Sequence, residues 1–489
     1  MSTSETLEEP SFAERLATLA DTQGGRAALT FDSTVTTFAE LDRLANRFGR
    51  LLTSLGVDNG DFVTVASPNG LEFIVAVAGC WKIGATPQPV SSRLPGRELE
   101  AIVELAKSAA VVGATIDGCP SATLDASQKF DEVALPDALA PAWKAPTSGG
   151  STGRPKLIVS GDPSLYTASI RGLAATIGVA GGGTLVMPGP MYHNGPFIWA
   201  FITLLEGGHV VLLPRFDAEA TLAAVDHHAA EALYLVPTMM QRIWKLPDDV
   251  KFSYDLSSIQ RAFHLAEPCP AWLKEVWIDW IGAEALWELY GGTEGQSSTV
   301  LSGVEWLEHR GSVGRPQSGE MKICDEEGNE LPPGEVGEVW MRATGRDRPT
   351  YRYIGAEADS RDGWDCLGDI GSMDADGYLY LADRRTDMIL VGGANIYPAE
   401  VEAAINEHPA VRSCAVIGLP DEERGNRVHA IIDLAGANAL DEGALQQFLG
   451  ERLVSYKVPR TFEFVAEPLR DDAGKVRRSA LRAERLPSD

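Results

Sequence analysis

The chain predicts an α/β fold with a layered first part, a smaller β-rich segment and a compact α+β tail. Three observations carry this expectation. Strand and helix periodicities alternate through the first half, period-two alternation takes over after Gly311, and from Arg385 both kinds of element recur in a short stretch. At 489 residues the chain exceeds what one small core needs, and its length suits roughly two to four domains or subdomains.

Thr37 and Glu40 stand at capping-box spacing, and Leu41, Leu44, Ala45, Phe48, Leu51, Leu52 and Leu55 follow at helical spacing until Gly56 ends the run. Asp61 to Ala66 reads as a strand, Leu71 to Lys82 as a helix and Ala85 to Val90 as the next strand, an alternation that implies mainly parallel sheets. Residues 115–146, rich in Ala, Asp and Pro, predict a surface connection. A second run places strands at His209 to Leu213 and Leu233 to Val236 around a helix from Ala218 to His228. Val336 to Met341 and Gly377 to Leu381 alternate at period two between Gly, Asp and Pro, the texture of a β-rich subdomain. In the tail, Pro398 takes a first helical position, with Val401, Ala404 and Ile405 on the inner face. No internal repeat interrupts this order.

Composition narrows the function. Hydrophobic content of 44% and charged content of 23% are those of a globular protein, and a net charge of −27 argues against a general nucleic-acid or anionic-membrane binder. Residues 452–489 depart from this, with nine Arg or Lys against six Asp or Glu, which suits either an anionic ligand or a solvated helix face. Six scattered cysteines imply reduced thiols instead of disulfides or a zinc site. The polar first ten residues, and the lack of any apolar run near the roughly 20 residues of a membrane span, predict a soluble, cytoplasmic protein.

The run Ser148-Gly149-Gly150-Ser151-Thr152-Gly153-Arg154-Pro155-Lys156 describes a backbone able to wrap a polyphosphate. Glycines let main-chain N–H groups approach phosphate oxygens, hydroxyls add donors and Lys156 adds a point charge, although a solvent loop has a similar composition. Its spacing is not that of a Walker A loop. Further motifs follow: Tyr290-Gly291-Gly292-Thr293-Glu294-Gly295, Gly368-Asp369, Asp383-Arg384 and Gly474-Lys475. In order and spacing the set resembles the signature of the adenylate-forming enzymes, which include acyl- and aryl-CoA synthetases, peptide-synthetase adenylation domains and beetle luciferases. The likeness spans Thr37 to Lys475.

That resemblance implies a large N-terminal AMP-binding domain, residues 1–384, and a small mobile C-terminal domain, residues 385–489, with a hinge at Arg385 to Asp387. It implies ATP, Mg²⁺ and coenzyme A as cofactor and co-substrates. Ser148 to Lys156 would hold the β- and γ-phosphates, Thr293 the α-phosphate, and Glu294 the Mg²⁺. Tyr290, with Gly291 and Gly292, would line the adenine pocket, Asp369 would accept from the ribose hydroxyls, and Arg384 would touch the ribose or α-phosphate. Lys475 would bridge the carboxylate and the α-phosphate. Gly392 and Gly393, in Val391 to Ile396, would border a tunnel for a pantetheine thiol, while the same residues also describe a tight hairpin turn. Thr386 stands where many relatives carry Asp or Lys.

Pro190 to Phe197 resembles the family's acyl-pocket motif, in which His193 or its aromatic neighbour faces the carboxylate. No Asp lies between Met191 and Thr203, which disfavours an amino acid substrate. His264-Leu265-Ala266-Glu267 replaces a more usual glycine-rich segment, which predicts an altered pocket shape, and resembles an actinobacterial-type branch of bile-acid, steroid-side-chain or carnitine-like CoA ligases. Phe197, Trp199 and Phe263 suggest an apolar acid. The expected activity is an acyl-CoA synthetase acting through acyl-AMP; the alternatives are a stand-alone enzyme loading a carrier protein and a non-catalytic nucleotide-binding scaffold. Homodimer and monomer both stay open.

Overall fold

Capping and apolar spacing set the first helices. In the computed structural model, which describes residues 9–149, 155–391, 394–421, 424–434, 440–470 and 475–486, Thr37 and Glu40 close the expected capping box at the start of Phe38–Ser54. This helix buries Phe38, Leu41, Ala45, Phe48, Leu51 and Leu52 and packs against Leu71–Lys82. The second helix is buried almost all round, so its terminal Lys82 requires partners: Asp42 at 2.5 Å and the Ala13 carbonyl at 3.2 Å.

Among the described residues the main sheet has nine strands. Its centre is parallel and runs Leu286–Gly291, Arg261–Leu265, Ala232–Leu235, Thr184–Met187, His209–Leu212, Ala27–Phe31, with antiparallel strands at both edges. A four-stranded parallel sheet is built on Phe62–Val65. Helices such as Asn194–Leu205 and Ala271–Ile281 cover these sheets, the layering that alternating periodicities predict. After Gly311 the chain forms an antiparallel sheet from Glu320–Cys324, Gly337–Arg342, Trp364–Met373, Asp359–Arg361 and Leu379–Arg384.

The connection expected at the surface over 115–146 is partly interior. Ala140, Trp143 and Ala145 are buried, and the segment pairs with the strand that follows the glycine-rich loop: Trp143 N–H with the Asp162 carbonyl, and Ser160 N–H with the Lys144 carbonyl, both at 3.0 Å. Its Ala and Pro content resembles a loop, yet its backbone groups are satisfied as an extended edge.

The C-terminal domain has its own core, in which Ile389, Ile396, Val401, Ile405, Val416 and Leu445 meet. Pro398 opens the helix Pro398–Asn406, whose buried face carries Val401, Ala404 and Ile405 as expected. Val411–Asp421 and Gly425–Leu434 form a long antiparallel pair joined by Thr461–Val465.

Candidate active site

Parallel strands end together, and the segments leaving them border a common crevice. Here the ends of Arg261–Leu265 and Leu286–Gly291 open onto a cleft of about 2160 Å³ that also takes residues from the antiparallel sheet and the C-terminal domain. Its lining includes His193, Tyr290, Thr293, Glu294, Asp369, Arg384 and Lys475, so motifs far apart in sequence meet in one place.

On one side polar groups hold one another. Asp369 lies inside Trp364–Met373 and pairs in register with Arg384 on the antiparallel neighbour. Tyr290 donates its hydroxyl to Asp369 Oδ2 at 2.7 Å, while Arg384 Nε approaches Oδ1 at 3.2 Å. Burial and Asp369 push the Tyr290 phenol upward, so it stays a donor, and Asp369 holds the Arg384 guanidinium above its ordinary value. A Cβ at Gly292 would fall 2.4 Å from Leu367 Cδ1 and 2.9 Å from Glu294 Oε2, so a larger residue there would have to displace the ends of both side chains. Gly291 precedes Gly292 at the strand end.

Ser148 and Gly149 pair antiparallel with Lys156 and Pro155, while Gly150, Ser151, Thr152 and Gly153 lie outside the described residues. Lys156 Nζ sits 3.8 Å from the centre of the Tyr353 ring and 3.9 Å from Glu294 Oε1, to which Tyr353 donates its hydroxyl at 2.6 Å. Burial lowers the Lys156 ammonium and Glu294 opposes that. Glu294 is buried, and its carboxyl group borders this side of the cleft. Such a donor fits Mg²⁺, which takes one or two carboxylates together with phosphate oxygens and water.

Two side chains here escaped the sequence reading. Tyr353 comes from Tyr351–Ile354, nearly 200 residues after Lys156, and its one local sign is the period-two Tyr351-Arg352-Tyr353. Lys144 is buried, and burial pulls its ammonium down to about 8 against Glu294 and Asp162.

The other side of the cleft is apolar. Trp199 meets Tyr234 and Phe263 edge-on, each with ring centres 5.7 Å apart, and Leu265, Val236 and Met239 also line the cavity. Gly195 is required there, since a Cβ would lie 2.5 Å from the Tyr234 hydroxyl oxygen. His193 precedes the helix Asn194–Leu205, and its Nε2 and the Asn194 Oδ1 are buried without hydrogen-bond partners among the described residues. Burial, then the Lys475 charge, pulls the His193 imidazole down to about 3. Lys475 therefore acts electrostatically on His193.

Three expectations need correction. Phe197 faces the core, against Trp81 and Phe201, and does not line the cleft; Phe263 stands behind Trp199. His264 points beneath the sheet end, 3.8 Å from Glu288, which also pairs with Lys274. Strand alternation sends neighbours to opposite faces, so Leu265 borders the cavity and His264 does not narrow it. Ala266 follows at a φ of 72°, a strained value for a residue with a Cβ.

Gly392, Gly393 and Gly474 lie outside the described residues; the flanks Ile389–Val391 and Ala394–Ile396 form the antiparallel hairpin expected of the first pair. At the expected hinge, Asp387 and Met388 donate their N–H groups to the Arg384 carbonyl, at 3.0 and 3.2 Å.

The AMP-binding enzyme family matches residues 16–346, and the AMP-binding enzyme C-terminal domain matches residues 400–475. The chain is 31% identical to a feruloyl-CoA synthase of Amycolatopsis, covering 93% of this chain and 95% of that protein. It is 29% identical to a long-chain-fatty-acid–CoA ligase of Mycobacterium tuberculosis, covering 92% and 93%. The o-succinylbenzoate CoA synthetase of Bacillus subtilis, solved with its acyl-adenylate intermediate, superposes with a TM-score of 0.81 at 26% identity, covering 97% of this chain and 98% of that one. Among the described residues no helix is long and apolar enough to cross a membrane. A family match over most of the chain, with the motifs meeting in one cleft, leads to one assignment: the chain belongs to the AMP-binding enzyme family, as an AMP-forming acid–CoA ligase.

Proposed function

We propose that this ligase activates an apolar carboxylic acid, of fatty, aryl or steroid-side-chain type, with residues 1–384 forming the adenylation domain and 385–489 the domain that brings Lys475. The observation that carries this reading is the meeting of the Lys475 charge with His193 beside the aromatic wall of Trp199 and Tyr234. In the first step a carboxylate oxygen attacks the α-phosphorus of ATP and the bond to pyrophosphate breaks. In the second the CoA sulfur attacks the acyl carbon, AMP leaves with the bonding pair and the thiol proton passes to solvent.

The residues divide this work. Asp369 takes the ribose hydroxyls, Tyr290 with Gly291 and Gly292 borders the adenine, and Arg384 steadies Asp369 and the ribose side. Ser148 to Gly153 and Lys156 take the outer phosphates, while Thr293 donates to the α-phosphate. Glu294, oriented by Tyr353 and faced by Lys156, would hold Mg²⁺, which when bound neutralises phosphate charge. Lys475 places a compact cation where two anions approach. His193, neutral at pH 7, leaves the substrate carboxylate paired with Lys475 and offers a ring nitrogen. Gly392 and Gly393 border the thiol path.

The test is pyrophosphate release from ATP and Mg²⁺ across aliphatic, aryl and steroid acids, with and without CoA. Turnover sustained with one apolar class and CoA is expected. Release that CoA does not accelerate would turn the reading to a carrier-protein acceptor, and release with polar acids alone would overturn the acid assignment.

A further inference from the structure

The helix Pro237–Trp244 meets the C-terminal domain along one face. Thr238, Gln241 and Lys245 are spaced three and four residues apart, the spacing that puts side chains on one side of a helix. Gln241 Nε2 donates to the Asn406 carbonyl at 3.1 Å, and Lys245 Nζ donates to the Val411 carbonyl. At the head of the helix, Val236 has no side-chain oxygen to cap it. Glu267 supplies the missing acceptor: its Oε2 takes the Thr238 N–H at 3.0 Å and the Thr238 hydroxyl at 2.7 Å.

The other Glu267 oxygen looks across the domain boundary. Oε1 is buried, has no hydrogen-bond partner among the described residues, and lies 3.8 Å from Arg470 Nη1. Arg470 also reaches Glu402 at 3.2 Å, and Glu402 receives Arg478 with both oxygens, at 2.8 and 2.9 Å. Arg478 in turn contacts Asp387, at the hinge, at 2.9 Å. Arg470 and Arg478 flank Lys475 in sequence, so the segment that delivers Lys475 is anchored on both sides by Glu402 and tied to the adenylation domain by Glu267. A buried carboxylate needs a counter-charge, and Glu267 has Arg470 as such a partner while the domains are docked.

We propose that Glu267 is a positioning residue: acting through Arg470, it seats the Lys475 segment over the cleft for adenylate formation and takes no part in the thiol step. This rests on the role given to Lys475 above. The supporting physics is that burial raises the Glu267 carboxyl and Arg470 opposes that, so docking and ionisation of Glu267 favour each other.

The test separates the half-reactions in the full-length enzyme. Acid-dependent exchange of labelled pyrophosphate into ATP reports the first, and conversion of synthetic acyl-AMP with CoA reports the second. Glu267→Ala should lower exchange by about 10-fold or more while acyl transfer and the acid KM stay within about twofold of the parent. Glu267→Gln, which keeps an acceptor for Thr238 and removes the charge, should show the same split at smaller amplitude, and it serves if the Ala variant does not fold. Equal loss in both half-reactions, a raised acid KM as the sole change, or no loss would overturn the inference. Lys475→Ala is the control. If it leaves exchange intact, the reading of Lys475 fails; if it abolishes exchange while the Glu267 variants do not, the positioning role alone fails.

Discussion

The two sides of the cleft are held in different ways. On the nucleotide side, Tyr290, Asp369 and Arg384, and likewise Lys156, Tyr353 and Glu294, fix one another through directed hydrogen bonds and ion pairs. On the acid side, Trp199, Tyr234 and Phe263 are fixed by edge-on packing, and the polar atoms of His193 and Asn194 are left unpaired. With the roles proposed for these residues, the contrast teaches that nucleotide recognition is preorganised by the protein's own polar partners. The proposed acid recognition is then a matter of shape, with a few polar atoms left unpaired by the protein.

Removing a directed partner should therefore cost most. Asp369→Ala leaves the Tyr290 hydroxyl and the Arg384 guanidinium without their shared acceptor and deletes the proposed ribose acceptor. Bonds to a charged group contribute about 1.5–3 kcal/mol each, so the KM for ATP should rise roughly 10- to 100-fold. The acid KM should hold. Steady-state kinetics with each substrate varied in turn checks this, and a matching rise for the acid would mean that the two sides are not independent.

A change on the packed side should act more gently and on the other substrate. Trp199→Phe shortens the aromatic wall without adding a polar group. Pocket contacts are worth about 1–3 kcal/mol between related substrates, and a change that keeps an aromatic ring belongs at the lower end; about 1 kcal/mol shifts the ratio of kcat/KM for bulky over slender acids roughly 5-fold, with the ATP KM unchanged. Competition between two acids measured in one vessel gives the ratio directly. No shift would place the acid's body away from Trp199.

The same contrast explains what could be read from the sequence. Phosphate and ribose chemistry demands particular residue types at short spacing, so Ser148 to Lys156, Tyr290 to Glu294 and Asp369 were visible as motifs before any fold was known. Capping and periodicity likewise located Phe38–Ser54, Leu71–Lys82 and Pro398–Asn406 closely. Packing leaves no such local mark. Phe197 and Trp199 are two residues apart on one helix, yet one fills the core and the other lines the cleft. Tyr353, Lys144 and Glu267 gain their partners from sheet pairing or domain docking, which short-range patterns do not encode.

The smallest expected effect tests whether the acid side is as dry as its packing implies. Burial and the Lys475 charge both disfavour protonated His193, whose pKa lies near 3 against an ordinary 6.5. The folded enzyme thus binds fewer protons at this ring than an unfolded chain does between those values. Falling pH must then weaken the fold, beginning below about 6.5, where the imidazole of an unfolded chain takes up its proton, and ending near 3; above pH 7 the ring contributes no pH dependence. Titration of labelled histidine by NMR should find His193 neutral down to the acid limit of stability. In Lys475→Ala its pKa should move up and remain below the ordinary value, because burial is the larger cause and survives the substitution. An ordinary His193 pKa in the parent enzyme would mean that water reaches the acid side freely, and the distinction between a bonded and a packed half of the cleft would then fall.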